Sequence, residues 1–170
     1  MNTAYNCLDR HIIDGYGKQL ALIFTSPIPG TNEYYSYDML YEEVLKFTCV
    51  LKSYDISKGD RVVIYMPNSP QAVVAMLACA RIGAIHCVVF GGFASAELAT
   101  RIKDCTPRAV IYSSYGIDGN KLIDYGKIVD EAKFIAQESY CVPVSVMYAR
   151  PEPPIGLCST YDDIKRRQQK

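Results

Sequence analysis

The fold is decided by residues 61–101, which read RVVIYMPNSPQAVVAMLACARIGAIHCVVFGGFASAELATR. The run of β-branched and aromatic residues from Val62 to Tyr65, closed by Met66 and Pro67, is typical of a strand that is buried on both faces. Asn68 or Ser69 is placed to cap a helix whose first residue is Pro70. The apolar residues that follow have the spacing of one helical face: Val73, Val74, Leu77, Ala80 and Ile82.

A second strand and a second helix follow in the same stretch. Gly83 ends the first helix, and residues 85–90 predict another buried strand. Gly91-Gly92 turns the chain, and Ser95 is placed to cap a helix over residues 96–104. Two strands joined by a helix of this length predict a parallel βαβ unit with a right-handed crossover. Ligands of such folds bind at the carboxyl ends of the strands, where this glycine turn lies.

The residue pattern of this stretch is also specific enough to indicate a family. Residues 66–93 follow the pattern M-P-x-x-P-x-A-V-x-A-M-L-A-C-A-R-I-G-A-I-H-x-V-V-F-G-G-F, which resembles the N-terminal part of AMP-forming short-chain acyl-CoA synthetases, the family of acetyl-CoA and propionyl-CoA synthetase. Residues 94–104, ASAELATRIKD, are more similar to the propionyl-type branch. The resemblance covers nearly the whole chain. It implies an α/β fold, a mostly parallel sheet flanked by helices with an N-terminal β-hairpin, as an incomplete N-terminal domain of an adenylate-forming enzyme.

The segment before residue 61 predicts a helix, a hairpin and a longer helix. The first helix spans residues 2–14, and its polar residues predict a solvated face with local ion pairs: Asp9, Arg10 and His11. Residues 20–24 and 33–35 predict two strands joined by a loop of turn-forming residues. Ser36 is placed to cap a helix over residues 37–54.

After residue 101 the alternation of strands and helices continues. Residues 109–112 predict a strand, 113–121 a polar loop, and 125–137 a helix. A further strand over 142–147 contains Pro143, which predicts an edge position or a late strand start. The whole chain, 1–170, is therefore interpreted as one partial domain in three parts: an opening helix and hairpin over 1–36, a βαβ core over 37–148, and a connection with a short helix over 149–170.

The composition excludes several classes of protein. Lysine plus arginine equals aspartate plus glutamate, 18 each, so net charge predicts no nucleic-acid partner. No apolar run approaches the length of a membrane span. The seven cysteines are odd in number and lack C-x-x-C spacing, which favours a reduced, intracellular compartment, the cytoplasm or a mitochondrion. Neither histidine has zinc-ligand spacing to cysteines or acids, so we expect no metal site.

The resemblance implies a two-step reaction and a place for one substrate. ATP, with its Mg²⁺, activates the acid as an acyl-adenylate, and coenzyme A then displaces AMP. Relatives place the coenzyme A nucleotide at the glycine turn and at a basic loop downstream, which implies these residues here: Phe90, Gly91, Gly92, Asp118, Gly119, Asn120 and Lys121. Lys121 supplies a cation for a phosphate, whereas Asp118 stands where many acetyl-type members have arginine and repels phosphate.

Two expected features of the family are absent from the 170 residues. No Ser/Thr/Gly-rich loop ending in Pro-Lys exists for the nucleotide, and the catalytic lysine of the mobile domain has no counterpart. We therefore expect no catalytic residue here, no activity of this chain alone, and a need for the remainder of the enzyme chain.

Two other interpretations stay open. One is a truncated, non-catalytic paralogue that acts as a coenzyme A-binding or interaction module. The other is a free-standing doubly wound domain of the flavodoxin or response-regulator kind, which needs a phosphate-gripping loop or an acidic residue at a strand end. No acidic residue ends the runs 62–66 or 85–90, which disfavours the latter.

Overall fold

The computed structural model describes residues 1–26, 32–119, 121–137, 143–151 and 165–166. Three predictions fall wholly or mostly outside these ranges: Asn120, the proline-rich connection and the last helix. The chain divides into two compact units, one of residues 1–62 and 69–86, the other of residues 63–68 and 87–170.

The first unit opens with a helix in two segments, a π-helical turn Tyr5–Asp9 followed by α1, Arg10–Ile13. The side chain of Asn2 accepts a hydrogen bond from the backbone N–H of Tyr5 at 3.3 Å at the start of this helix. The predicted solvated face is wrong for Asp9. Its carboxylate accepts two hydrogen bonds from the Arg81 guanidinium, at 3.1 and 2.6 Å, and both side chains are mostly buried.

The predicted hairpin and longer helix are confirmed in the same unit. Strands β1, Leu20–Phe24, and β2, Glu33–Ser36, pair antiparallel. The Ser36 hydroxyl accepts from the backbone N–H of Met39 at 3.2 Å and so caps α2, Tyr37–Ser53. The buried face of α2 consists of Leu40, Val44, Thr48 and Leu51.

Helix α3, Pro70–Ile82, starts with proline as predicted and ends at Gly83 in the left-handed conformation, φ +78°. Ser69 stands at the N-cap position, but its hydroxyl caps no backbone N–H of the helix. Among the described residues, the Ser69 hydroxyl is buried without a hydrogen-bond partner. The helix is therefore initiated by the fixed φ of Pro70 rather than by a side-chain cap.

The second unit holds most of a four-stranded parallel sheet. Its strands are β3, Arg61–Met66; β4, Ile85–Phe90; β5, Ala109–Ser113; and β8, Val144–Tyr148. The first two residues of β3 and of β4 belong to the other unit. Between β5 and β8 the chain forms a small hairpin of β6, Gly116–Asp118, and β7, Lys121–Ile123. The order is β4-β3-β5-β8. The predicted α/β class, with a parallel sheet, flanking helices and an N-terminal hairpin, is confirmed.

Helices α4, Ser95–Cys105, and α5, Tyr125–Ala136, cover one core of this unit. Asp124 caps α5 by accepting from the backbone N–H of Lys127 at 3.0 Å. The predicted cap at Ser95 is wrong, because Ser95 is already helical and Ala94 holds the N-cap position. The buried core residues are Val63, Tyr65, Val89, Leu98, Ala99, Ile102, Val110, Tyr112, Tyr125, Val129, Ala132 and Ala136.

Two further predictions are corrected in the second unit. Strand β4 exists, but it is not buried: Val88 is 53% and Phe90 68% exposed, because β4 lies at the edge of the sheet. Residues 113–121 are not simply a polar loop, since they contain strand β6 and the start of β7. The expectation for Pro143 is confirmed, because β8 starts after it and lies at the other edge.

Candidate functional site

The glycine turn lies at the carboxyl end of β4, where the sequence placed it. The ring of Phe90 is largely exposed and packs edge-to-face on Phe93, with centroids 5.8 Å apart. The backbone N–H of Phe93 donates to the Phe90 carbonyl at 3.0 Å and closes the turn. The turn therefore presents an apolar ring to solvent from a hydrogen-bonded backbone.

The two glycines of this turn have different surroundings. A Cβ on Gly91 would lie 2.6 Å from the Tyr125 hydroxyl and 2.9 Å from the Met66 carbonyl oxygen. A Cβ on Gly92 would lie 2.5 Å from the ring of Phe90, which is itself exposed and can move. Packing inside the chain thus leaves no room for a side chain at Gly91. Gly92 keeps the exposed side of the turn bare, and neither glycine has a positive φ.

Two buried tyrosines support the turn. The Tyr65 hydroxyl donates to the Phe93 carbonyl at 2.6 Å, and its ring centroid lies 4.9 Å from that of Tyr125. Burial raises the pKa of Tyr65 to about 12 and raises the pKa of Tyr125 as well. Both phenols therefore keep their protons at neutral pH, and Tyr65 acts as a hydrogen-bond donor to the turn.

The second predicted segment is the tip of a hairpin. Asp118 of β6 pairs with Lys121 of β7, and both are exposed; Gly119 between them has φ +55°, which favours glycine. Asn120 lies outside the described residues. Gly-Asn between two short runs is a known signal for a two-residue hairpin loop, so this hairpin was readable from the sequence.

The glycine turn and the hairpin that carries the second predicted segment both approach Tyr125. A Cβ on Gly116, the first residue of β6, would lie 2.8 Å from the Tyr125 hydroxyl, the same atom that excludes a side chain at Gly91. The phenol of Tyr125 thus fills the space between the glycine turn and the hairpin. Gly91 and Gly116 thus both lie against Tyr125, whereas Lys121 is exposed at the tip of the hairpin.

Arg150 is a cation at this end of the sheet that sequence reasoning missed. It follows β8, and its guanidinium lies 4.9 Å from the ring centroid of Tyr115 and donates to the Tyr115 carbonyl at 3.3 Å. The charge of Arg150 lowers the pKa of Tyr125, against the larger effect of burial, and that of Asp118 raises it. Both charges therefore act on the Tyr125 hydroxyl. A cation directly after a parallel strand was the available signal.

Within the described residues, no three or more histidine, cysteine, aspartate or glutamate side chains are grouped so that they could hold a metal ion. A search of the same residues finds no helix with the length and apolar character needed to cross a membrane.

Comparison with known proteins identifies the family. Residues 10–156 match the family described as AMP-binding enzyme. The chain belongs to this family. It is 47% identical over 152 residues to the mitochondrial acyl-CoA synthetase short-chain family member 3 of Bos taurus. The aligned residues make up 89% of the chain and 22% of that relative. The resemblance to acyl-CoA synthetases, carried by residues 66–93, is thereby confirmed.

Two other relatives show a similar degree of identity. The chain is 51% identical over 132 residues to an acetyl-coenzyme A synthetase of Desulfatibacillum aliphaticivorans, covering 78% of the chain and 20% of the relative. It is 49% identical over 158 residues to an uncharacterized protein of Pseudomonas aeruginosa, covering 92% of the chain and 25% of the relative. The chain therefore spans between a fifth and a quarter of the length of these relatives.

Proposed function

We propose that this chain is the N-terminal part of an AMP-forming acyl-CoA ligase that activates a short-chain acid, propionate or acetate, with ATP and transfers the acyl group to coenzyme A. The observation that carries the proposal is the 47% identity, over 89% of the chain, to a protein named as a short-chain acyl-CoA synthetase. That relative's name includes a mitochondrial address, which supports a mitochondrion, beside the cytoplasm, as the proposed compartment.

The role of this part of the enzyme is to bind the nucleotide of coenzyme A. Phe90 offers an exposed aromatic face on which an adenine ring can stack. Gly92 leaves the adjacent backbone bare, so that the ribose can approach. Lys121 supplies an exposed cation for a phosphate. Arg150 adds a second positive charge at the same end of the sheet, which offsets the repulsion from Asp118.

The adenylation step belongs to residues that this sequence does not contain. The 170 residues lack the Ser/Thr/Gly-rich loop ending in Pro-Lys that holds the nucleotide in the family. Mg²⁺ accompanies ATP in that step, and no residue of this chain is assigned to it. The chain's own part in the reaction is to bind and orient the thiol substrate through its nucleotide end.

The experiment is a titration of the 170-residue chain with coenzyme A, dephospho-coenzyme A and pantetheine, followed by ligand-detected NMR and calorimetry. We expect saturation transfer to the adenine protons, weaker binding once the phosphate is removed, and no binding of pantetheine. The matched variants are Phe90→Ala and Phe134→Ala, which remove aromatic rings of similar exposure, 68% and 70%. Only Phe90→Ala should weaken binding, by about 1–3 kcal/mol if the base stacks on the ring.

The proposal fails in this form if pantetheine binds as well as coenzyme A, because the nucleotide would then not be the recognised part. It also fails if both phenylalanine variants weaken binding equally, since the effect would then be general loss of structure. If the chain binds none of the three compounds, the same variants are measured in a complete synthetase containing this sequence. A wild-type Michaelis constant for coenzyme A in Phe90→Ala would then overturn the assignment.

A further inference from the structure

A cavity of about 560 Å³ lies in the first unit, beside the end of α3. All of its lining residues belong to the ranges 1–62 and 69–86, so the cavity is contained in this one unit. They are the opening residues of the chain, Lys58, and residues 80–86, which run from the last turn of α3 into β4. The volume is in the range of small-molecule sites, and no residue assigned to coenzyme A lines it.

Gly83 positions the lysine of this cavity. It ends α3 with φ +78°, and a Cβ at this position would lie 3.0 Å from Cγ and 3.4 Å from Cβ of Lys58. The aliphatic stem of Lys58 therefore lies directly on the glycine. The backbone N–H of Gly59 donates to the Gly83 carbonyl at 2.9 Å and joins the two segments. Lys58 is thus held at the cavity by its stem, while the residue stays exposed.

The carbonyl groups at the end of α3 already have donors from the chain. The side-chain amide of Asn2 donates to the carbonyls of Ala80 and Arg81, at 3.0 and 3.2 Å. The backbone N–H of Ala84 donates to the carbonyl of Cys79 at 2.9 Å. A ligand cation would have to compete with these donors for the same oxygens. The end of the helix is therefore poorly suited to bind a cation.

The charged side chains that line the cavity are all basic. None of the described residues in its lining is aspartate or glutamate. The Arg81 guanidinium is engaged in its ion pair, but Lys58 and His86 form no ion pair within the described part of the chain. Asp60, close in sequence, does not line the cavity, and its carboxylate accepts two hydrogen bonds from Ser57. An ammonium group and an imidazole N–H can therefore both serve an anion in the cavity.

Apolar side chains form another part of the lining. Ile82 is the last residue of α3, and Ile85 is the first residue of β4. Ile85 is 58% exposed, so an apolar group that covers it removes this surface from water. The cavity therefore combines basic groups with an apolar wall, which suits an anion that carries an apolar chain.

From this combination we infer that the cavity binds an unbranched aliphatic carboxylate of medium length, such as hexanoate. The carboxylate accepts hydrogen bonds from Lys58 and His86, and the chain covers Ile82 and Ile85. The volume leaves room for a chain longer than that of acetate or propionate. Because its residues are separate from those assigned to coenzyme A, the site can be tested without reference to the proposed function.

The experiment titrates the isotope-labelled 170-residue chain with sodium hexanoate and follows its backbone amide signals by NMR. We expect saturable shifts that are largest at Lys58 and at residues 82–86. Affinity should rise along the series acetate, butyrate and hexanoate, by at most about fourfold for each methylene group that leaves water. Hexylamine and hexanol should bind more weakly than hexanoate, because neither carries a negative charge.

Two variants test the basic groups. Lys58→Met removes the charge but keeps a straight apolar stem, and should weaken hexanoate binding about two- to fivefold. His86→Val should act in the same direction. Lys52→Met is the matched control, since Lys52 is an exposed lysine of the same unit that does not line the cavity, and should leave the affinity unchanged. Phe134→Ala, at an exposed ring outside the cavity, should also leave it unchanged.

The inference is overturned if the shifts caused by hexanoate lie outside the cavity, or if Lys58→Met and Lys52→Met weaken binding equally. Hexylamine or hexanol binding as tightly as hexanoate would overturn the role of the carboxylate. Inorganic phosphate binding as tightly as hexanoate would overturn the role of the apolar wall. If Lys58→Met fails to fold, the series of ligands on the wild-type chain decides.

Discussion

The rings of Tyr65 and Tyr125 pack against each other, with centroids 4.9 Å apart, and both hydroxyls point into the glycine turn. Tyr65 donates to the carbonyl of Phe93, while the Tyr125 hydroxyl takes the space that a side chain at Gly91 would need. The turn is thus held from inside the chain by two phenols. Such internal support favours a preformed binding surface.

The first prediction concerns Gly91. Gly91→Ala places a methyl group 2.6 Å from the Tyr125 hydroxyl and 2.9 Å from the Met66 carbonyl, so the turn or the tyrosine must shift. Overpacking of this kind costs about 1–3 kcal/mol. We expect a fall of that size in the free energy of unfolding, measured by urea denaturation. Adding Tyr125→Phe should recover part of this loss, because it removes the hydroxyl contact. The recovery should be incomplete, because the contact with the Met66 carbonyl remains.

Gly92→Ala is the control for this prediction. Its methyl group would meet only the exposed ring of Phe90, which can rotate away, so the free energy of unfolding should change little. Equal losses in Gly91→Ala and Gly92→Ala would contradict the internal packing role of Gly91.

The second prediction is a pH dependence that belongs to Tyr65. Burial raises its pKa from 10.0 to about 12, so the native state holds this proton more tightly than the unfolded chain does. The corresponding stability is present in full below pH 10 and is lost as the pH rises from 10 to 12. Tyr65→Phe should be less stable at neutral pH by about 1 kcal/mol, for the lost hydrogen bond, and its stability should fall less steeply over this window.

Unfolding of both proteins is followed from pH 9 to 12. Cys79 and Cys105, whose raised pKa values are about 12 and 11, contribute a decline of the same sign to both, so the difference between the two curves is the measured quantity. Parallel curves would show that the Tyr65 phenol does not titrate in this range.

The sequence predicted the elements of the second unit well because their signals are local. Strand β5, Ala109–Ser113, and helix α5, Tyr125–Ala136, were each found within one or two residues, since a β-branched run and a 3.6-residue period define them without reference to other parts of the chain. The burial of β4 was predicted wrongly, because burial depends on the position of a strand in the sheet. An apolar run in the sequence looks the same for a strand at the edge of a sheet and for one in its centre.

The contacts that shape the candidate site could not be predicted for a related reason. Gly91 was interpreted as a turn residue and a member of the coenzyme A site, whereas its missing side chain makes room for Tyr125, 34 positions later in the chain. Asp9 was interpreted as solvated, whereas its partner Arg81 lies 72 positions away. Neither partner has a periodic or spacing signal. Only the folded chain brings such residues together.

The third prediction uses that ion pair. The Arg81 guanidinium binds both oxygens of Asp9, and each side chain is only 19% exposed, so removing one partner leaves a poorly solvated charge. We expect Arg81→Met to lower the free energy of unfolding by about 1–3 kcal/mol. Arg81→Lys should recover only part, because an ammonium cannot reproduce the two-pronged contact.

Lys46→Met is the matched control for Arg81→Met. It breaks the Lys46–Glu43 pair, whose side chains are 68% and 47% exposed, so the free energy of unfolding should change little. A double-mutant cycle with Asp9→Asn then measures the coupling to Arg81. A coupling energy near zero would show that the two-pronged contact of this pair contributes nothing to stability.

The fourth prediction is that this chain alone does not activate acids. No Ser/Thr/Gly-rich loop ending in Pro-Lys is present to hold the triphosphate, so no residue places the α-phosphorus for attack. Pyrophosphate release is measured with ATP, Mg²⁺ and either acetate or propionate, with a complete acetyl-coenzyme A synthetase as the positive control. Release above the background without protein would contradict the prediction, and would mean that adenylation needs less of the enzyme than proposed.

The last prediction separates binding of coenzyme A from adenylation in a complete synthetase that contains this sequence. Gly92→Leu fills the exposed side of the turn and displaces the Phe90 ring, so the Michaelis constant for coenzyme A should rise. Lys121→Ala should act in the same direction but more weakly, by about 1 kcal/mol or less, because one exposed cation is well screened by solvent. The adenylation half-reaction, followed by pyrophosphate exchange, should persist in both variants, since ATP and the acid bind elsewhere in the proposed enzyme. Loss of both half-reactions together in Gly92→Leu, with Phe134→Ala unaffected, would identify the glycines as structural turn residues and remove the coenzyme A assignment.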